Sequence, residues 1–332
     1  MGFYDMKKII SVFLGLLVVI VVGMFVYLYA AYPDVPAAQN ITVKGTPAQI
    51  KRGKYLANHV SMCMDCHSTR DYTKFAGPVV PGTRGKGGEI FDKKEGFPGT
   101  FISKNITPYN LKNWTDGELF RTITTGVTKD NNVLFPVMPY LDFSNMDPRD
   151  VKAIIAYIRT LKPIEYKNKA SKANFPMNLI MRTIPHQYNG GVRPAVKDTV
   201  AYGKYLVNIA ACMDCHTPRK NGQPIKTMYM AGGMPFVMPS GTVRSANLTP
   251  DRATGLGSWT SNQFVAYFKQ YDIPADSLPS PKQVGYNTVM PWTMYAGMKK
   301  QDLRAIFAYL QTLPPVKHVV KKFIPASKIA RK

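Results

Sequence analysis

Four cysteines and two histidines stand in one arrangement that the chain writes twice: Cys63-Met64-Asp65-Cys66-His67 and Cys212-Met213-Asp214-Cys215-His216. These are all the cysteines it has. Two thiols three positions apart on one helical turn can each close a thioether to a porphyrin vinyl group. The imidazole in the next position then lies beneath the iron as an axial ligand. A single such string would also suit a dithiol redox pair or a Cys/His zinc site. Two copies, each with histidine following, favour two covalently bound haem c groups. Cys63, Cys66, Cys212 and Cys215 are then the attachment points, and His67 and His216 the proximal iron ligands.

What fills the sixth iron position decides the chemistry. A thioether raises the reduction potential and closes the site to substrate, whereas an open position admits peroxide or oxygen. Chain order singles out Met138 and Met290, each in a Val-Met-Pro step well beyond its C-x-x-C-H string. Proline fixes the backbone there, so that a long, flexible side chain can be aimed inward. With 17 methionines a Met-Pro step is a cheap coincidence, and Met238-Pro239 is a third instance, but it has no counterpart in the other half. His59 lies one helical turn before Cys63 without a partner in the second half. It reads as a packing residue, with a bis-histidine first haem as the alternative. His186 and His318 are expected in solvent.

The elements that must position these ligands are themselves duplicated. Gly-Lys-Tyr-Leu recurs at 53–56 and 203–206, just ahead of each cysteine pair. Asn105-Ile106-Thr107-Pro108 answers Asn247-Leu248-Thr249-Pro250, and Trp114-Thr115 answers Trp259-Thr260. Each half closes on an amphipathic helix, over 148–161 and 301–313, ended by Pro163 and Pro314. The recurring Asn and Trp residues suit either hydrogen bonding to haem propionates or loop scaffolding. Arg70 and Arg219 are weaker propionate candidates.

Residues 9–32 carry no charge and are long enough to cross a bilayer as a helix. Lys7 and Lys8 precede the run, and Tyr27, Tyr29 and Tyr32 gather at its far end. The pattern predicts a membrane anchor with its N-terminus in the cytoplasm and aromatic residues at the outer interface. A cleaved signal peptide would have a shorter apolar core and a small-residue cleavage site, of which Ala30-Ala31 is a poor version. The expected organisation is a cytoplasmic stretch 1–8, anchor 9–32, tether 33–46, haem domain 47–164, connector 165–197, haem domain 198–316 and basic tail 317–332. The apolar centre of the connector, 175–181, is expected to pack across the join between the domains.

The formal net charge is +23. Covalent haem is attached outside the cytoplasm, which argues against a nucleic-acid target. The charge instead suits redox partners with acidic docking surfaces, or anionic lipid headgroups. The expected location is the bacterial inner membrane, single pass, with the haem domains in the periplasm.

Taken together, the C-x-x-C-H strings, Asn-Ile/Leu-Thr-Pro, Gly-x-Gly-x-Trp, Met-Pro-Tyr and the closing Ala-Tyr-Leu helix resemble the multihaem cytochrome c subunits of membrane-bound alcohol and gluconate dehydrogenases. The resemblance covers most of residues 47–316. It implies an all-α fold of two tandem class I cytochrome c domains, with His67 and His216 as proximal and Met138 and Met290 as distal ligands. That family typically has three haem domains, and this chain has two. The implied role is single-electron transfer as a subunit of a dehydrogenase or oxidase complex, from a quinol-oxidising complex or periplasmic dehydrogenase to an acceptor such as a terminal oxidase. No residue is assigned to catalysis. A dihaem peroxidase with one open haem is the enzyme alternative, and a haem-based gas or redox sensor a third.

Overall fold

A computed structural model describes residues 3–326. The uncharged N-terminal run is one continuous helix, Phe3–Ala31. Its stretch Met6–Ala31 is long and apolar enough to cross a membrane, and none of its most apolar part is buried against the rest of the protein.

Each half is built on a pair of crossed helices. In the first, a leading helix (Pro47–Tyr55) crosses a closing helix (Pro148–Ile158); in the second, Thr199–Ile209 crosses Lys300–Leu310. The glycine of each Gly-Lys-Tyr-Leu string sits at the crossing. A Cβ on Gly53 would fall 1.8 Å from the Ala153 carbonyl oxygen, and one on Gly203 would fall 1.9 Å from that of Ala305. Only glycine lets the two backbones approach this closely. Leu56, Val151, Ile155, Leu206 and Leu303 fill the core around the crossings, each fully buried. The Trp-Thr repeat also has a local cause. Thr115 and Thr260 are N-caps, each closing a reciprocal capping box with Glu118 or Gln263.

The first half carries one more residue than the second between its Gly-Lys-Tyr-Leu string and its first cysteine. The surplus is absorbed as a π-helical turn, Leu56–Val60, where the second half runs on as regular helix to Ile209.

The fold is predominantly helical rather than purely α. Among the described residues, three small antiparallel sheets pair β1 (Ile90–Phe91), β2 (Gly99–Ile102) and β3 (Lys172–Ala173); β4 (Arg219–Lys220) and β5 (Gln223–Pro224); and β6 (Pro235–Met238), β7 (Gly241–Arg244) and β8 (Phe323–Pro325). The connector and the tail, the latter expected to be a solvated arm, are both tied down as strands. After each closing helix the chain returns to add a strand, the connector onto β2 and the tail onto β7. The tail is therefore not a free solvated arm through Pro325, while Lys328, Arg331 and Lys332 lie outside the described residues. The segment 33–46 is likewise no loose tether. Val43 N–H donates to Asp116 Oδ2 at 2.9 Å, and a Cβ on Gly117 would meet the Gln39 carbonyl oxygen at 1.8 Å.

The halves meet in one continuous apolar core, through a set of contacts that repeats in both directions. The Tyr55 hydroxyl reaches Asp302, and the Tyr205 hydroxyl reaches the corresponding Asp150. The π-helical turn packs on Trp292–Tyr295, just as Thr199–Ile209 packs on Tyr140–Phe143. The apolar connector centre does not fill this join. Phe175 is 77% exposed.

Candidate haem sites

Each C-x-x-C-H string forms a short helical turn, Cys63–Cys66 and Cys212–His216. The residue ahead of each, Met62 and Ala211, takes a left-handed backbone conformation (φ 53° and 51°) that turns the chain from the leading helix into the cysteine turn. None of the four cysteines is in a disulfide. Burial pushes the thiols of Cys63, Cys212 and Cys215 up to about 12 and raises that of Cys66.

The two histidines are held in the same way. His67 Nδ1 lies 2.7 Å from the Lys104 carbonyl oxygen, and His216 Nδ1 lies 2.8 Å from that of Ala246. Donation of Nδ1–H to a main-chain carbonyl fixes the tautomer and leaves Nε2 with its lone pair for a metal. Burial depresses both imidazoles, against the raising effect of the carbonyl, so both are neutral at pH 7, as a ligand must be.

Those two carbonyls are placed by residues that sequence reasoning missed. Lys104 and Ala246 immediately precede the Asn-Ile/Leu-Thr-Pro strings, and Gly87 and Gly232 pass directly over them. Gly87 N–H donates to the His67 carbonyl at 3.0 Å, and Gly232 N–H to the His216 carbonyl at 2.8 Å. A Cβ at Gly87 would stand 2.5 Å from the Lys104 carbonyl, and one at Gly232 2.3 Å from that of Ala246. Both glycines also have positive φ. The signal was present as the Gly-Gly pairs 87–88 and 232–233, which keep their place in the duplication.

Asn105 and Asn247 are loop scaffolds. Each Oδ1 accepts from the backbone N–H and hydroxyl of the threonine two residues on, at 2.7–2.9 Å. Each Nδ2 donates to the chain beyond the closing helix, to Ile164 and Tyr166 or to Val316. Arg70 and Arg219 are similarly occupied, pairing with the aspartate inside their own cysteine turn, Asp65 at 2.5 Å and Asp214 at 2.6 Å. Burial nevertheless holds the Asp65 carboxyl up at about 6, against the pull of Arg70.

Met138 and Met290 are both half-buried and pack against the core. Each is followed by a proline that begins a single helical turn, Tyr140–Phe143 and Trp292–Tyr295. The Tyr140 hydroxyl is buried without a hydrogen-bond partner, an orphaned donor two residues from Met138. Met238 instead lies on β6, in line with its missing counterpart. His59 Nδ1–H donates to the Met294 carbonyl at 3.0 Å and the ring packs against Gly297, so it belongs to the contact between the halves. His318, expected in solvent, packs over Gly233 with Nδ1 2.9 Å from the Ala231 carbonyl. His186 is exposed as expected.

Tyr295 relates the two cysteine turns. It is buried, its hydroxyl donates to the Ala210 carbonyl at 2.7 Å, and burial, with Cys212, Cys215, Asp65 and Cys66 nearby, holds its phenol well above the ordinary value. The donor set fits haem c in both halves, with paired thiols on one turn and a neutral imidazole whose Nε2 is left for a metal; the first half adds the orphaned Tyr140 hydroxyl near Met138.

Residues 200–314 match the Cytochrome c family. The chain is 29% identical over 286 residues to the cytochrome c subunit of a quinone alcohol dehydrogenase of Gluconobacter oxydans, covering 81% of this chain and 55% of that one. It is 28% identical to the gluconate 2-dehydrogenase cytochrome c subunit of Pantoea cypripedii, over 80% of this chain and 60% of that one. A diheme cytochrome c-type protein of Cereibacter sphaeroides is 26% identical, with 76% and 82% covered. The chain thus spans a little over half the length of the alcohol dehydrogenase subunits it matches. Residues 200–314 thus carry a cytochrome c domain, and the first half repeats its cysteine turn and its carbonyl-held histidine.

Proposed function

We propose that the protein is a membrane-anchored dihaem cytochrome c that passes single electrons between a donor and an acceptor and performs no bond chemistry of its own. Its haem domains are residues 47–164 and 198–316. The observation that carries this reading is the pair of Nδ1–carbonyl hydrogen bonds at His67 and His216, the same support in both halves. One-electron oxidation and reduction at iron is the chemistry that haem c supplies. Cys63 and Cys66, and Cys212 and Cys215, hold the two groups covalently. His67 and His216 take the proximal positions, and Met138 and Met290 close the distal ones.

Closed sixth positions suit electron transfer, since they keep peroxide and oxygen from the iron. The segments that lead into the two attachment turns each pack on the opposite half, which suits a two-step relay. Relatives named as dehydrogenase cytochrome c subunits support a place in such a complex, with a dehydrogenase or quinol-oxidising donor and an acceptor such as a terminal oxidase. The Phe3–Ala31 helix anchors the protein in the bacterial inner membrane, with both haem domains in the periplasm. The basic surface favours acidic faces on the redox partners.

The test is the optical spectrum of the purified protein, oxidised, reduced, and reduced under carbon monoxide, with haem counted as the pyridine haemochrome. Two low-spin c haems per chain that ignore carbon monoxide support the reading. A high-spin fraction or a carbon monoxide adduct overturns the closed-site assignment and brings the peroxidase alternative forward.

A further inference from the structure

We propose that the connector between the two halves is a second membrane contact, with Phe175 and Ile180 resting in the outer interfacial layer of the bilayer beside the end of the N-terminal helix. The proposal rests on reading that helix as a membrane anchor.

The run Phe175-Pro176-Met177-Asn178-Leu179-Ile180-Met181 is apolar enough to belong in a core, yet it is not in one. Phe175 is 77% and Ile180 45% exposed, while Met181 at its end is buried. Both ends of the run are fixed. Upstream, β3 pairs with β2, and Asn174 N–H donates to the Pro98 carbonyl at 2.9 Å. Downstream, the Arg182 guanidinium donates to the Tyr32 carbonyl and lies 4.5 Å from the centre of the Tyr29 ring. Pro185, His186 and Gln187 then line a shallow cleft with residues 30–36.

Tyr29 and Tyr32 mark the outer interface of the span, where amphipathic rings settle at headgroup level. Arg182 therefore pins the connector at that level. From Arg182 back to Phe175 the chain is compact, with helical turns at Met177–Ile180 and Met181–Thr183, so Phe175 lies within about 10 Å along the axis. That is comparable with the interfacial layer, which is about 5–7 Å deep on each side of the hydrocarbon core. Lone exposed apolar residues are ordinary; a run held against a membrane-spanning helix is not. Lys169 and Lys172 are exposed just upstream, placed for lipid phosphates. Aromatic and aliphatic side chains flanked by cations are the composition of an interfacial membrane contact. The contact would fix the height of the join between the halves above the membrane.

The experiment uses the full-length haem-loaded protein in nanodiscs of phosphatidylethanolamine and phosphatidylglycerol, with the photocrosslinker p-benzoylphenylalanine at one position at a time. Substitution at Phe175 is expected to give a lipid adduct by mass spectrometry. Val319, 80% exposed on the tail, is the exposure control and stays unlabelled; Phe13, within the span, labels. Each variant is checked for an unchanged haem spectrum. Labelling at Phe13 without labelling at Phe175 overturns the proposal and leaves the anchor standing. Labelling at neither overturns the anchor and the proposal together. Equal labelling at Phe175 and Val319, or an adduct from Phe175 to a second protein chain instead of lipid, also overturns it.

Discussion

The Tyr55 hydroxyl donates to Asp302 Oδ2 at 2.5 Å, and its counterpart Tyr205 donates to Asp150 Oδ2 at 2.8 Å in the opposite direction. Each half thus lends the tyrosine of its Gly-Lys-Tyr-Leu string to the closing helix of the other. Each hydroxyl also accepts from the backbone, Lys299 N–H at 3.1 Å and Asp147 N–H at 3.3 Å. The exchange is the pattern of a two-fold interface made within one chain. The two halves are therefore expected to unfold as a unit.

Substituting both Tyr55→Phe and Tyr205→Phe removes both hydroxyls and leaves buried carboxylate partners short of a donor. Each site is expected to lose about 1–3 kcal/mol. The check is guanidinium unfolding followed by far-UV circular dichroism and by haem absorbance. Coincident transitions in the parent should separate in the double variant, and unchanged midpoints would remove the interface role.

Asp150 is fully buried and gathers Arg52 through two hydrogen bonds of 3.0 and 2.8 Å, Arg193 at 2.5 Å and Tyr205. Asp150→Ala strands these donors and should destabilise by about 3–5 kcal/mol. Asp302, which accepts from Tyr55 and has no arginine hydrogen-bonded to it among the described residues, should lose less when changed to alanine. Equal losses in the same unfolding experiment would contradict the ranking.

Gly232→Ala drives a methyl into the Ala246 carbonyl that orients His216. Haem attachment should fall from two groups per chain towards one in the pyridine haemochrome, with the Cys63–Cys66 site kept. Full loading with two unshifted potentials would show that the loop yields without disturbing the histidine.

Met290→His exchanges a thioether for an imidazole and should lower one reduction potential while leaving the other nearly unchanged. Potentiometric titration reads both. Joint movement of the two, or movement of neither, would refute one methionine per domain.

Asp142, on the turn after Met138, is buried and faces Asp214 of the other half, with Arg219 opposing. Burial first, then the Asp214 carboxylate, raises its folded value above the ordinary carboxylate range near 4. The folded chain holds that proton more tightly than the unfolded one. Stability from this group is therefore present at low pH and lost as pH rises above about 4. Asp142→Asn should flatten the decline, so that its denaturation midpoint exceeds the parent's at pH 8 and approaches it at pH 4. A parallel decline in both would exclude Asp142 as the source.

The sequence by itself determined the chemistry and the repeat. Cofactor attachment needs fixed residue types at fixed spacing within one turn, so Cys63 to His67 and Cys212 to His216 were legible without coordinates. The capping Thr115 and Thr260, the helix-ending prolines and the apolar N-terminal helix are also local, and local physics reads directly from adjacent residues. What only the tertiary structure decided are contacts between segments far apart in the chain. The carbonyls of Lys104 and Ala246 carry no side-chain signature, and neither does the pairing of Arg70 and Arg219 with Asp65 and Asp214. The tail and the connector became strands because β7 and β2 each had an edge to offer, which no period in Phe323–Pro325 or Lys172–Ala173 announces. The exposure of Phe175 likewise follows from where Arg182 meets Tyr32, a meeting of residues 150 positions apart.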